Sequence, residues 1–209
     1  MDPGHWFSLF SVCLLGAMSP GPSLAVVLHS TLRAGSSAGY ACAVGHGAGV
    51  GLYGLATVSG LAVIITRSPA LFLVLQLLGA LYLLYLGYRS LRASGVGIPQ
   101  KDPRQAGNKA PALEGFLVAF LNPKLAIFML ALFSQFLRPG ADTLERGLMV
   151  ATVGITDASW YTLVVALTTR GPFLEKLQAN DRLISCIFGF ILILLAVTVM
   201  ARMGLQMAR

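Results

Sequence analysis

Three side chains in this sequence combine reactive chemistry with surroundings that ought to exclude them. Asp157 lies ten residues past Gly147 in a run that is otherwise uncharged to Thr169. Lys124 is the only charge between Gly115 and Leu137, and His46 sits inside Gly45-His46-Gly47-Ala48-Gly49-Val50-Gly51. A charge at the centre of a membrane helix costs about 2.5–3.5 kcal/mol on the insertion scale, an expense tolerated for function or for a partner. Lys124 and Asp157 facing one interior could form a structural ion pair, bind the two ends of a zwitterion, or let Asp157 carry a proton; these roles are compatible. His46 could relay protons near neutral pH or simply hydrogen-bond across a helix interface. Trp160, one turn after Asp157 on the same helical face, is placed in the same interior.

Prolines mark where such an interior would lie. Pro20-Gly21-Pro22 falls well inside the first apolar run and Asn122-Pro123-Lys124 inside the fourth. A proline within a helix removes a backbone N–H and clashes with the carbonyl four residues earlier, so both helices should break or kink within the membrane. Backbone groups freed in hydrocarbon cost several kcal/mol each unless they face protein or water. Two such breaks therefore predict a shared polar cavity, the alternative being that each proline is only a packing kink. Gly21 and Ser23, at the first break, are candidate amide donors to a carboxylate, because a half-helix N-terminus carries partial positive charge.

The elements that must position these groups follow from composition. The chain has 209 residues, 56% hydrophobic and 11% charged, against roughly 25% charged in a soluble domain. Trp6 to Leu32, Ala34 to Thr66 and Ser68 to Tyr88 contain no charge, and Gly115 to Leu137, Gly147 to Thr169 and Leu183 to Ala201 carry at most one each. About 20 apolar residues cross a bilayer core as helix, so an all-α protein with six transmembrane helices is expected. The first run carries no Lys or Arg before it and is too long for a secretory signal, and is expected to stay in the mature chain. Cys13, Cys42 and Cys186 are odd in number, lie inside spans and form no Cys-x-x-Cys pair, so no disulfide framework follows.

The net charge of +7 sits in short loops, which favours orientation by the positive-inside rule over nucleic-acid binding. Arg33, Arg89, Arg92, Lys101, Arg104, Lys109, Arg170, Lys176 and Arg182 fall on one side; Arg67, Arg138, Arg146, Arg202 and Arg209 fall on the other. The richer side is expected to be cytoplasmic, with both termini outside. A Gly/Pro-rich linker at about 92–113 divides a single membrane domain into repeats of about 1–91 and 114–209. Pro22-Ser23-Leu24-Ala25 aligns with Pro123-Lys124-Leu125-Ala126, sharing Pro, Leu and Ala. Three helices per half make the halves antiparallel, the inverted-repeat plan of many secondary transporters, with broken helices 1 and 4. Small residues at spacing four, Gly45 with Gly49 and Gly47 with Gly51, predict close helix packing. His29 reads more readily as an interfacial side chain, while the pairs Trp160-Tyr161 and Tyr82/Tyr85 are ambiguous, since aromatic residues line membrane interfaces as often as sites.

Met18-Ser19-Pro20-Gly21-Pro22-Ser23, the Arg33-Ala34-Gly35 turn, the Gly-rich second span, Phe120-Leu121-Asn122-Pro123-Lys124 and Asp157 to Tyr161 together resemble the LysE/RhtB family of amino-acid exporters along nearly the whole chain. The resemblance implies efflux of amino acids or related metabolites across a bacterial inner membrane, driven by proton exchange. Its motif positions fall on Pro20, Gly21, Pro22, Asn122, Pro123 and Lys124. Many members carry an acidic residue in the second span where this chain has Val50, which argues against cationic substrates and for a neutral amino acid. No cofactor or metal is expected, and monomer and homodimer are both left open.

Other classes fare worse. A thiol-redox relay needs paired cysteines at the broken helices, and helix 4 has none. Ser59 and His46, about 20 Å apart on one helix at 1.5 Å per residue, cannot form a protease dyad. One carboxylate beside a lysine makes a poor site for a cation exporter. A channel or purely structural membrane protein predicts that Lys124→Ala and Asp157→Ala change stability alone.

Overall fold

The computed structural model describes residues 3–19, 21–92, 110–168 and 179–207. The described residues form eight helices and no strand: α1 Pro3–Met18, α2 Pro22–Ala34, α3 Ser36–Arg67, α4 Pro69–Arg92, α5 Pro111–Phe120, α6 Pro123–Phe136, α7 Thr143–Thr168 and α8 Asp181–Met207. Pro20 and most of the expected linker lie outside the described residues.

Four helices, α3, α4, α7 and α8, are each long and apolar enough to span a bilayer. The other two spans are bent pairs, α1 with α2 at 59° and α5 with α6 at 61°. Each bend falls where the prolines predict it, and the physical outcome is a break: Pro22 and Pro123 each open a new helix, where a missing N–H costs nothing. The chain is thus a multi-pass membrane protein of up to six crossings. Large apolar side chains face outward around the perimeter, among them Leu71, Val74 and Leu78 on α4 and Leu194 and Val197 on α8, as a lipid-facing surface requires.

Six crossings place the start of α1, the end of α8 and the α3–α4 and α6–α7 turns on one face. The α2–α3 turn, the ends of α4 and α7 and the starts of α5 and α8 fall on the other. Contacts agree: His5 Nε2 lies 3.1 Å from the Phe136 carbonyl oxygen, where α1 begins and α6 ends, and Ser90 Oγ donates to the Ser185 carbonyl at 2.7 Å, where α4 ends and α8 begins. The two faces are called here the terminal face and the linker face.

Helix α3 forms the centre of the assembly, packed against α5, α7 and α2. Its glycines make this possible. A Cβ on Gly45 would run into the backbone carbonyl of Ala112, and one on Gly49 would lie 2.8 Å from the Phe116 carbonyl oxygen, both on α5. A Cβ on Gly47 would lie 2.6 Å from that of Ala158 on α7. Two residues advance a helix by about 200°, so Gly45 and Gly47 point to opposite sides and two neighbours close in at once. Away from this centre, α4 pairs with α8 through Gly87 and Gly189, each of which leaves room for the other's carbonyl.

Candidate functional site

Between the two breaks lies a cavity of about 80 Å³, enough for roughly five to eight waters at one probe sphere each. Both breaks contribute to it: Ser19, Gly21, Pro22 and Ser23 from the first, Asn122 and Lys124 from the second. His46, Asp157 and Tyr161 complete its polar lining. Lys124 and Asp157 thus border one interior, but they are not partners. Asp157 is instead bound to His46, with Nδ1 2.6 Å from Oδ2 and both side chains buried. The Lys124 ammonium has no ion-pair partner among the described residues and the residue stays exposed, at the mouth of the cavity.

The position of the acid and the imidazole follows from the Gly47 contact with Ala158, which draws α3 and α7 together beside them. Asp157 carboxylate accepts from the Nδ1–H of His46, leaving Nε2 as the free ring nitrogen. That atom is buried without a partner. The Tyr161 ring stands edge-on to the imidazole with centroids 5.0 Å apart. Its hydroxyl donates to the Ala17 carbonyl at 3.3 Å, one of the α1 carbonyls that the break leaves without an intrahelical donor.

The two half-helix N-termini differ. At α6, the side chain of Asn122 accepts from the amides of Lys124 at 3.0 Å and Leu125 at 3.4 Å, an N-cap that uses up those donors. At α2, Gly21 occupies the cap position in extended backbone and supplies no side chain. Pro22 has no N–H and the Ala25 amide returns to the Gly21 carbonyl at 3.1 Å, so among the described residues Ser23 and Leu24 hold the uncapped amides of the first turn. The uncapped terminus is the one able to meet an anion.

Trp160 does not line this cavity. It packs beside the buried cluster of Val26, Val27 and Val164, and its indole nitrogen is buried without a partner. The neighbouring Tyr161 takes the expected place, since the buried face of α7 repeats at steps of four through Val153, Asp157 and Tyr161. Tyr161 was legible only as one of an ambiguous aromatic pair, and the spacing of four from Asp157 was the signal that could separate the two. The cavity also takes in side chains that carry no chemical signal in sequence, among them Phe128, Met129 and Phe188.

Comparison with known proteins adds an independent line. The family profile described as LysE type translocator matches residues 14–203. A homoserine/homoserine lactone efflux protein of Salmonella typhimurium is 27% identical over 199 residues, covering 91% of this chain and 95% of the relative. A threonine efflux protein of Escherichia coli K12 is 27% identical over 160 residues, covering 75% and 78%. The Bacillus subtilis membrane protein YrhP is 26% identical over 184 residues, covering 83% and 88%. No solved structure matches the chain.

Proposed function

The chain belongs to the LysE type translocators, and from that premise we propose that it exports neutral amino acids or closely related small metabolites across a bacterial inner membrane by exchange with protons. The observation that carries this reading is the His46–Asp157 pair, 2.6 Å apart, in a cavity bordered by both broken helices. Such a site offers opposite charges to the two ends of a zwitterion and a titratable pair beside them.

In this mechanism the substrate enters from the linker face, which is the cytoplasmic one, with both termini outside. Its carboxylate meets the uncapped amides of Ser23 and Leu24, and Lys124 adds a full positive charge at the mouth. Its ammonium approaches Asp157, displacing or sharing the hydrogen bond from His46. Proton binding to the His46–Asp157 pair from the outside competes with the ammonium, and this competition couples the two flows. The halves then rock about the site so that it opens alternately to each face. The pairing of equivalent elements, α3 with α7 and α4 with α8, supports an inverted repeat, as do the similar bends of 59° and 61°. Val50 beside the pair supports a neutral over a cationic substrate, since no second carboxylate stands there.

The names of the threonine and homoserine exporters among its relatives support amino acids as the substrate class. The test is efflux of radiolabelled amino acids from membrane vesicles with and without a proton gradient, comparing wild type with Asp157→Asn. The expected result is gradient-driven efflux that the substitution abolishes. Gradient-independent leakage, the same in both proteins, would overturn coupled export.

A further inference from the structure

The lining of the cavity is sorted by depth. On α6, Lys124 stands at the break and Phe128 one turn closer to the terminal face. On α3, His46 is followed one turn farther along by Val50; on α7, which runs the other way, Asp157 is preceded by Val153. On α1, Ser19 at the break gives way to Gly16 and then Cys13. Along all four elements, one step of about 5.4 Å from the breaks toward the terminal face replaces a polar residue by an apolar or small one. Phe188 of α8 joins the same deep level, its ring 6.4 Å from that of Phe128.

Lys124 at the mouth is exposed, and burial is reached already at the polar level, where His46 is 1% and Asp157 7% exposed, and continues through Phe128 at 7%, Phe188 at 3% and Val50 and Val153 at 1% each. The deep end is therefore a buried, mainly apolar recess below a charged mouth. Gly16 keeps it open: a methyl there would touch the Phe128 ring at 3.5 Å and the Phe188 ring at 3.8 Å, filling the gap between them in ordinary contact.

We infer that this recess is the side-chain subsite of the transported amino acid, built to accept an aliphatic or thioether side chain and to disfavour a hydroxylated one, with Gly16, Phe128 and Phe188 setting its size. The inference rests on the amino-acid export reading and deepens it. With carboxylate and ammonium held at the level of Ser23 and Asp157, the substrate side chain has only the deep direction left. Among the described side chains the Cys13 thiol, a weak hydrogen-bonding group, is what that level offers a hydroxyl, so a hydroxyl there would be buried with a poor partner. This chain would then differ in preference from its relatives named for threonine and homoserine.

Valine and threonine have the same shape and differ in one methyl for hydroxyl, so they test the recess directly. Proteoliposomes of the wild-type protein, preloaded with either labelled amino acid under an imposed proton gradient, should export valine about ten- to a hundredfold faster than threonine at equal subsaturating concentration. In Gly16→Ala the ratio of leucine to alanine export should fall about tenfold, because the added methyl takes the space of the longer side chain. Threonine exported as fast as valine overturns the inference, as does a Gly16→Ala effect equal for leucine and alanine. Should Gly16→Ala not fold, the wild-type valine and threonine rates decide alone. Export of no amino acid at all refutes the transport reading itself, and the subsite with it.

Discussion

At the His46–Asp157 contact an imidazole and a carboxylate share one hydrogen bond while 1% and 10% exposed. Removing one member of a buried pair strands the other, which costs about 3–5 kcal/mol, whereas an amide in place of the carboxylate keeps an acceptor. His46→Ala should therefore lower the unfolding midpoint in detergent far more than Asp157→Asn does. The double variant should regain part of the loss, with a coupling energy of about 1 kcal/mol or more; additive losses would mean that the pair is not a unit. Lys124 predicts differently, because its ammonium holds no ion-pair partner among the described residues whose loss would destabilise the fold. Lys124→Met should leave the melting midpoint unchanged while raising the half-saturating substrate concentration about tenfold, the equivalent of about 1.4 kcal/mol. These groups were conspicuous in the sequence because charge inside apolar runs stands out. Their partnership was not, since hydropathy tells which residues are inside but not which helix faces which, and His46 and Asp157 are 111 positions apart.

The helices owe their arrangement to glycines whose spacing could be read more fully than close packing alone. Gly45 and Gly47 differ by two residues and so face α5 and α7 from opposite sides of α3, where each neighbour approaches too closely for a side chain. Gly45→Ala meets the backbone of Ala112, which cannot turn aside as a side chain would. Overpacking of this kind costs about 1–3 kcal/mol, and a fall in the thermal midpoint of the purified protein should report it. Gly60 on the same helix has open space where a Cβ would go. There Gly60→Ala should be neutral or stabilising by up to about 1 kcal/mol, from helix propensity alone. Equal effects at the two positions would mean that packing on α5 does not set the α3 position. At the second break, Asn122→Ala removes the cap on α6 and should cost about 1 kcal/mol. The spans and both breaks were legible because apolar runs and prolines act locally. The difference between the two half-helix N-termini was legible only in part: Asn122 is a good cap by type, but which amides it takes depends on the bend of the chain before it.

Across the whole molecule, the cavity mouth lies toward the linker face and the opposite direction is shut. Leu9 and Val12 of α1 belong to the same buried cluster as Leu132 and Phe133 of α6, each at most 2% exposed. Outside that cluster the first turns of α1 are fastened to the second half of the chain: Trp6 Nε1 donates to Thr152 Oγ1 at 2.9 Å and His5 meets the Phe136 carbonyl. In the rocking cycle proposed above this fastening would have to open each time substrate leaves, so it would stabilise the linker-open state and its strength would set the population of the other. Trp6→Phe keeps the aromatic bulk and removes one hydrogen bond worth about 1 kcal/mol, which shifts a two-state equilibrium about fivefold. Ser23→Cys, in a background with Cys13, Cys42 and Cys186 replaced by alanine, gives a reporter in the cavity. A membrane-impermeant maleimide should label it from the linker face in the resting protein, and Trp6→Phe should raise the labelling rate from the terminal face about fivefold. If that rate does not change, the α1 fastening is packing alone and the terminal face is gated by some other contact.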